Sequence, residues 1–281
     1  MKFAIVNGIK SEALKGIKGI CPSCGSELIA KCGVQKINHW AHKNTRTCDS
    51  WWESETEWHR SWKNNFPIEW QEFILFDTQT KEKHIADVRT ENGLVIEFQH
   101  SHITPQERYL REKFYKNMVW VVDGTRLKRD YPRFFKEWKK GEISEVSQTE
   151  KSGIFKVSFP EFCFQEAWLK SSVPVIFDFL GDGTMEDPKG MRKKLYCLFP
   201  QVGRNARVAE ISRKAFINTT TNGEWSLRVQ GFMNDYIKQN KIEQHQTVSH
   251  SINRVIYTWR GIPLFGGNKE YKKRIFWNKR R

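Results

Sequence analysis

The stretch His84-Ile85-Ala86-Asp87-Val88-Arg89-Thr90-Glu91-Asn92-Gly93-Leu94-Val95-Ile96-Glu97-Phe98-Gln99 decides how this chain folds. On either side of Glu91-Asn92-Gly93 lie segments apolar enough for core strands, Lys83 to Thr90 and Leu94 to Gln99, and the turn residues between them predict a hairpin. The loop length then decides which side chains meet. A two-residue loop at Asn92-Gly93 pairs position 87 with 98 and puts the two carboxylates on opposite faces. A three-residue loop, Glu91-Asn92-Gly93 with Gly left-handed, pairs 87 with 97 and sets Asp87 beside Glu97. Adjacent carboxylates repel unless a cation lies between them. Oxygen ligands of this kind suit Mg²⁺ or Mn²⁺, which can polarise a phosphodiester and generate hydroxide at neutral pH.

Working outward, Ile68 to Phe76 reads as the preceding strand. Before it, Ser50-Trp51-Trp52-Glu53 has the form of a capping box and Pro67 ends the run, so a helix is expected from Ser50 to Asn65. At 100° per residue Glu55 falls at the centre of the apolar face, flanked by Trp62, Phe66, Trp51, His59 and Trp58. A carboxylate so placed needs a partner. Either a cation of the protein such as Lys63 or His59 answers it, or a metal does. After the hairpin, Thr104-Pro105-Gln106-Glu107 is a second capping box with Pro at the first helical position, predicting a helix to about Asn117. Val119 to Val122 is then a buried strand. The expected order is helix, three strands, helix, strand, followed by a short amphipathic helix over Tyr131 to Lys140 with Phe134, Phe135 and Trp138 inward.

Four of the six cysteines lie in the first 48 residues, clustered as metal ligands rather than paired as disulfides. Cys21-Pro22-Ser23-Cys24-Gly25 has the spacing of a zinc knuckle. His39-Trp40-Ala41-His42 and Cys48 supply the remaining candidates for a closed tetrahedral zinc site. Cys21 and Cys24 are the firm pair; His42 with Cys48 is the favoured completion, His39 the alternative, and Cys32 sits at an apparent hairpin tip. A segment this small needs its metal to fold.

Across all 281 residues, 47 Lys and Arg face 32 Asp and Glu, a net charge of +15. Residues 1–150 hold 24 basic against 21 acidic residues, a balance of +3; residues 151–281 hold 23 against 11, a balance of +12. Such an excess points to a polyanion as partner. The polar stretch 141–153 reads as a linker. Beyond it Leu195 to Phe199, Arg207 to Ile211 and Val255 to Trp259 suggest a β-rich basic domain over 154–281. In its tail Lys272, Lys273, Arg274, Lys279, Arg280 and Arg281 are candidates for phosphate contact. With 38% of its residues hydrophobic and 14% aromatic, the chain is not disordered. Nor does it have an apolar run long enough for a membrane span, or a secretory leader, so a cytoplasmic setting is expected.

Taken together, Glu55-x3-His59-x3-Lys63, His84-Ile85-Ala86-Asp87-Val88 and Val95-Ile96-Glu97-Phe98-Gln99-His100-Ser101, led by Cys21-x2-Cys24 and His39-Trp40-Ala41-His42, resemble the CoiA competence-protein family, a branch of the PD-(D/E)xK nuclease superfamily. The likeness covers roughly residues 15–125. It implies an α/β (α+β) fold with a restriction-endonuclease-like αβββαβ core over 49–140, behind a zinc-ribbon module over 1–48. It further implies a deoxyribonuclease in which Asp87 and Glu97 hold Mg²⁺ or Mn²⁺, with Glu55 as a supporting ligand. Gln99 falls where the superfamily commonly has Lys, which would orient the attacking water. Gln supplies no charge, leaving His59, Lys63, His100 or a second ion to compensate. The implied partner is DNA, single- or double-stranded, with RNA less so and protein partners from a DNA-processing or defence system. A non-catalytic DNA-binding accessory factor is the rival reading.

Overall fold

The computed structural model describes residues 1–34, 36–44, 48–141, 143–180 and 190–259, with the backbone alone at 140 and over 243–259. The chain divides into two compact units, Met1–Met233 and Asn234–Arg281.

In the first unit the chain opens with five short strands, β1 (Phe3–Val6), β2 (Ile9–Glu12), β3 (Lys18–Ile20), β4 (Glu27–Lys31) and β5 (His39–His42). They form an antiparallel sheet in the order β2-β1-β3-β4-β5. Its small core gathers Ala4, Leu28, Cys21 and Trp40. Then follow α1 (Glu57–Lys63), β6 (Gln71–Phe76), β7 (Lys83–Arg89), β8 (Val95–Gln99), α2 (Pro105–Tyr115), β9 (Met118–Asp123) and α3 (Asp130–Lys140). The order helix, three strands, helix, strand is therefore present.

What comes next departs from the expectation of a linker and a separate domain. The strands β10 (Val146–Gln148), β11 (Ile154–Val157), β12 (Val175–Asp178), β13 (Lys194–Leu198) and β14 (Ala206–Ser212), with helix α4 (Glu166–Leu169) between β11 and β12, complete one nine-stranded sheet. Its order is β10-β11-β14-β13-β12-β9-β8-β7-β6. The segment 141–153, read as a linker for its polarity, carries β10, an edge strand with two of three residues exposed. Solvent on an edge strand selects the same polar residues as a linker does. The unit boundary falls instead inside the long helix α6 (Glu224–Trp259), which follows α5 (Arg213–Thr221). Val255 to Trp259, expected as a strand, is helical.

The middle of the large sheet is parallel, β8 with β9 and β9 with β12, and both of its faces are covered. Alternate residues go to opposite cores. Met118, Trp120 and Val122 join Tyr115, Phe134 and Trp168 from α2, α3 and α4. Val119 and Val121 join Trp62, Phe216 and Trp225 from α1, α5 and α6. Burial on both faces explains why Met118 to Val122 is an unbroken apolar run.

Candidate functional site

Two clusters stand close along the chain. In the N-terminal module the ligand atoms of Cys21, Cys24, His42 and Cys48 all lie within 4.8 Å of one another. The tight turn at Cys21 to Ser26 is closed by Cys21 N–H donating to Ser26 and Gly25 N–H donating to Cys21, both at 2.9 Å. Strand β5, paired to β4, brings in His42. Cys24 Sγ is 3.3 Å from His42 Nε2 and Cys21 Sγ 3.7 Å from Cys48 Sγ. Zinc–sulfur bonds of about 2.3 Å at tetrahedral angles separate two sulfurs by about 3.8 Å. Burial and the Cys21 and Cys24 sulfurs push the Cys48 thiol up to about 12, a repulsion that a soft divalent cation relieves. The Cys₃His set therefore fits zinc. His39, the alternative ligand, lies outside it, its Nδ1 against the Ile37 carbonyl at 2.9 Å, and Cys32 Sγ approaches Ala13 O at 3.7 Å.

The second cluster forms where β7 and β8 part. Val88 pairs with Ile96 and Arg89 with Val95, the register of the three-residue loop, with Gly93 at φ +77°. One step further the ladder stops and side chains take over the amides. Asp87 N–H donates to Glu97 Oε1 at 3.1 Å, and Phe98 N–H donates to Asp87 Oδ2 at 3.0 Å. On the other side of β7, Glu72 takes a left-handed φ of +47° and accepts from the Lys2 and Phe3 amides at 2.6 and 3.0 Å. That ties the N-terminal sheet to the large one.

Helix α1 supplies the cations. Its N-cap is Thr56, whose hydroxyl accepts from His59 N–H at 3.2 Å. The helix expected to start at Ser50 thus starts at Glu57, and Ser50 to Glu53 is not a capping box. Asp49 explains the difference: its carboxylate accepts the Trp51 amide at 2.9 Å, along with His84 Nδ1 at 2.9 Å and Ile85 N–H at 2.7 Å. A side chain that captures a neighbouring amide holds the backbone out of the helix. Glu55 lies before α1 and is still buried, its oxygens 2.7 Å from Lys63 Nζ and 2.6 Å from Arg60. Of the two partners left open for Glu55, protein cations are what the structure provides. Lys63 is also 3.2 Å from Glu72 and 3.8 Å from Asp87, while His59 Nε2 meets Asp87 Oδ2 at 2.8 Å.

These groups line a cavity of about 60 Å³ that includes Glu55, His59, Lys63, Glu72, Asp87 and Glu97, room for a few waters. Burial disfavours ionised Asp87, yet His59 and Lys63 hold its carboxyl down at about 2. Burial and then the Asp87 charge push Glu97 up to about 8, against the pull of Arg111, whose guanidinium donates to it at 3.1 Å. Glu97 is poised to ionise fully once further positive charge arrives.

Gln99 and His100 are not among the lining residues. The Gln99 amide is held by Glu53 and Ser101, and His100 Nδ1 bonds Asp123 at 2.8 Å. Arg111, Glu72 and Glu53 were not singled out from the sequence. Arg111 comes from α2, Glu72 from β6 and Glu53 from the irregular segment before α1, so only the tertiary fold brings them together. The basic tail residues Lys272, Lys273, Arg274, Lys279, Arg280 and Arg281 lie outside the described residues. Among the described residues no helix is long and apolar enough to cross a membrane.

Fold and clusters together define a strand-rich α/β protein with a zinc-compatible Cys₃His centre beside a buried acidic cavity. Residues 8–50, which hold all four of those ligands, match the family model described as Competence protein CoiA, N-terminal domain. The chain is similar to Competence protein CoiA of Bacillus subtilis (strain 168), 27% identical over 150 residues. That alignment covers 47% of this chain and 39% of the relative, so the shared region is about two fifths of the relative's length. No solved structure matches the chain.

Proposed function

We propose that this protein is a divalent-metal-dependent deoxyribonuclease with a restriction-endonuclease-like core, acting in DNA uptake or processing. The observation that carries the reading is the pairing of Asp87 with Glu97 at the point where β7 and β8 separate, beside two buried cations. Opposed carboxylates in a small polar cavity suit Mg²⁺ or Mn²⁺, which when bound would supply Lewis acidity and lower the pKa of a water. Asp87 and Glu97 would hold it.

The remaining work belongs to the chain. His59 fixes one Asp87 oxygen and Arg111 fixes Glu97. Lys63 keeps a permanent positive charge beside Asp87, since attraction from Glu72, Asp87 and Glu55 outweighs its burial. On this reading Lys63 from α1 stands in for the lysine absent at Gln99, offering charge to a developing phosphorane. Zinc in the Cys₃His centre is structural. The name of the B. subtilis relative favours competence as the setting, with DNA as the partner and the basic 269–281 tail as a phosphate contact.

Incubating the protein with linear double-stranded and single-stranded DNA and Mn²⁺ tests this. Asp87→Asn should reduce cleavage by far more than the about 100-fold that loss of an outer-shell partner costs, with DNA binding retained. Undiminished cleavage by Asp87→Asn overturns the assignment. The placement of Gln99 outside the cavity favours a second reading, an accessory factor that binds DNA without cutting it. That reading prevails if the wild type yields no products with any divalent ion.

A further inference from the structure

Between Cys48 of the Cys₃His centre and Thr56, the cap of α1, the chain forms neither helix nor strand. Its side chains nevertheless engage the acidic cavity at every second position. Asp49 is clamped by His84 and the Ile85 amide of β7. Trp51 stacks on His84, and its carbonyl accepts from Arg111 at 2.8 Å. Glu53 accepts from Ser101 Oγ at 2.7 Å and from Gln99, and lies 3.5 Å from Arg111. Glu55 meets Lys63 at 2.7 Å. Asp49, Trp51, Trp52, Glu53 and Glu55 all line the cavity that holds Asp87 and Glu97.

We propose that residues 49–55 are a strap whose order depends on metal at the Cys₃His centre, and that Glu53 on it is a positioning residue for Glu97 acting through Arg111. Arg111 is the hub: one guanidinium nitrogen holds Glu97 at 3.1 Å, another donates to Trp51 O and faces Glu53, and Glu107 of the same helix accepts from the remaining side. A segment with no backbone ladder of its own depends on its two ends and on these side-chain bonds. Its far end is the helix α1. Its near end is Cys48, whose thiol lies 3.7 Å from Cys21 against the small N-terminal core and which a metal would fasten to the Cys21–Cys24 turn and to His42. Losing that ligand frees the strap at Cys48 and takes the Trp51 and Glu53 contacts from Arg111, which then has only Glu107 of its own helix to orient it toward Glu97.

The inference rests on the proposed nuclease centre, and one experiment separates the two. Amide hydrogen exchange is followed on the full protein, zinc-loaded and after chelation, together with Mn²⁺ affinity from the free-ion resonance. Chelation should speed exchange over 49–55 and weaken Mn²⁺ binding by about fivefold or more, the lower range of site-to-site coupling. Strand β9 (Met118–Asp123) serves as the internal control that the large sheet stays folded. Glu53→Ala in the zinc-loaded protein should weaken Mn²⁺ binding with the ribbon intact, and Glu53→Gln, which can still accept from Ser101, should recover part of it. Protection over 49–55 that survives chelation, or Mn²⁺ affinity indifferent to both chelation and Glu53→Ala, overturns the proposal. If the loaded protein neither binds Mn²⁺ nor cuts DNA while the strap still answers to zinc, the nuclease reading fails and the metal-dependent strap stands.

Discussion

Lys63 is buried among three carboxylates, Glu55, Glu72 and Asp87. Removing the cation leaves three buried carboxylates with only Arg60, His59 and two backbone amides to answer them, so Lys63→Met should destabilise the fold by about 3–5 kcal/mol, read as a drop in urea midpoint. An unchanged midpoint would show that Arg60 and His59 suffice. Glu72 offers a sharper test because it titrates in an accessible range. Burial works against its ionisation, but Lys63 and the Lys2 and Phe3 amides hold the carboxyl down from 4.5 to about 2. A group with a depressed folded pKa contributes stability that is present above its unfolded value and lost as pH falls toward the folded one. Glu72→Gln should therefore cost about 3 kcal/mol relative to wild type near neutrality. That gap should close between about pH 4.5 and about pH 2, measured by denaturant titration across that window. A gap that stays constant with pH would mean that the charge of Glu72 is not what holds the two sheets together.

At the scale of elements, α1 is held from beneath by a residue far along the chain. Asp178, at the end of β12, accepts from Trp58 Nε1 at 3.0 Å and Trp62 Nε1 at 2.9 Å, and pairs with Arg213 at 2.6 Å. Asp178→Ala strands two indoles and a guanidinium and should cost about 2–4 kcal/mol. On the proposed function it should also lower cleavage, because His59 and Lys63 ride on that helix. Loss of stability without loss of cleavage would separate the helix's anchoring from its chemistry. This anchor also marks how far the sequence could be read. Alternation and the turn residues Glu91-Asn92-Gly93 were enough for the β7–β8 hairpin, since both signals are local, but they left two registers open, and the pairing of Val88 with Ile96 decides for the three-residue loop. The Cys₃His set that fits zinc was legible because thiols and imidazoles at ribbon spacing have few other uses. By contrast, the start of α1 was obscured by Asp49, whose capture of the Trp51 amide competes with a helix that Ser50 and Glu53 seemed to cap. Arg111, Glu72 and Asp178 carried no local signal, since each gains its meaning from a partner on another element.

For the whole molecule, the division of charge suggested two halves, one near neutral and one strongly basic. The sheet joins them. β9 pairs in parallel with β12, Val175 against Trp120 through Asp178 against Asp123, so that the strands of the second half extend the sheet holding Asp87 and Glu97. Tyr196, Phe177 and Phe179 complete the core beneath Phe134 of α3. A fragment ending at Gly141 would expose the edge of β9, whose residues Val119, Trp120 and Val121 are fully buried in the 281-residue chain, as well as the apolar faces of α1 and α3. An unpaired, flat, apolar strand of that kind is a template for association. Residues 1–141 expressed alone should therefore lack fixed tertiary structure or aggregate, even though they contain the zinc ligands and every residue lining the acidic cavity. Near-ultraviolet circular dichroism and sedimentation would show it. A monomeric fragment with native-like aromatic signals would mean that the second half is a detachable module. If it is not, the basic half completes the scaffold under the carboxylates and, on the proposed function, also carries the charge for a polyanion.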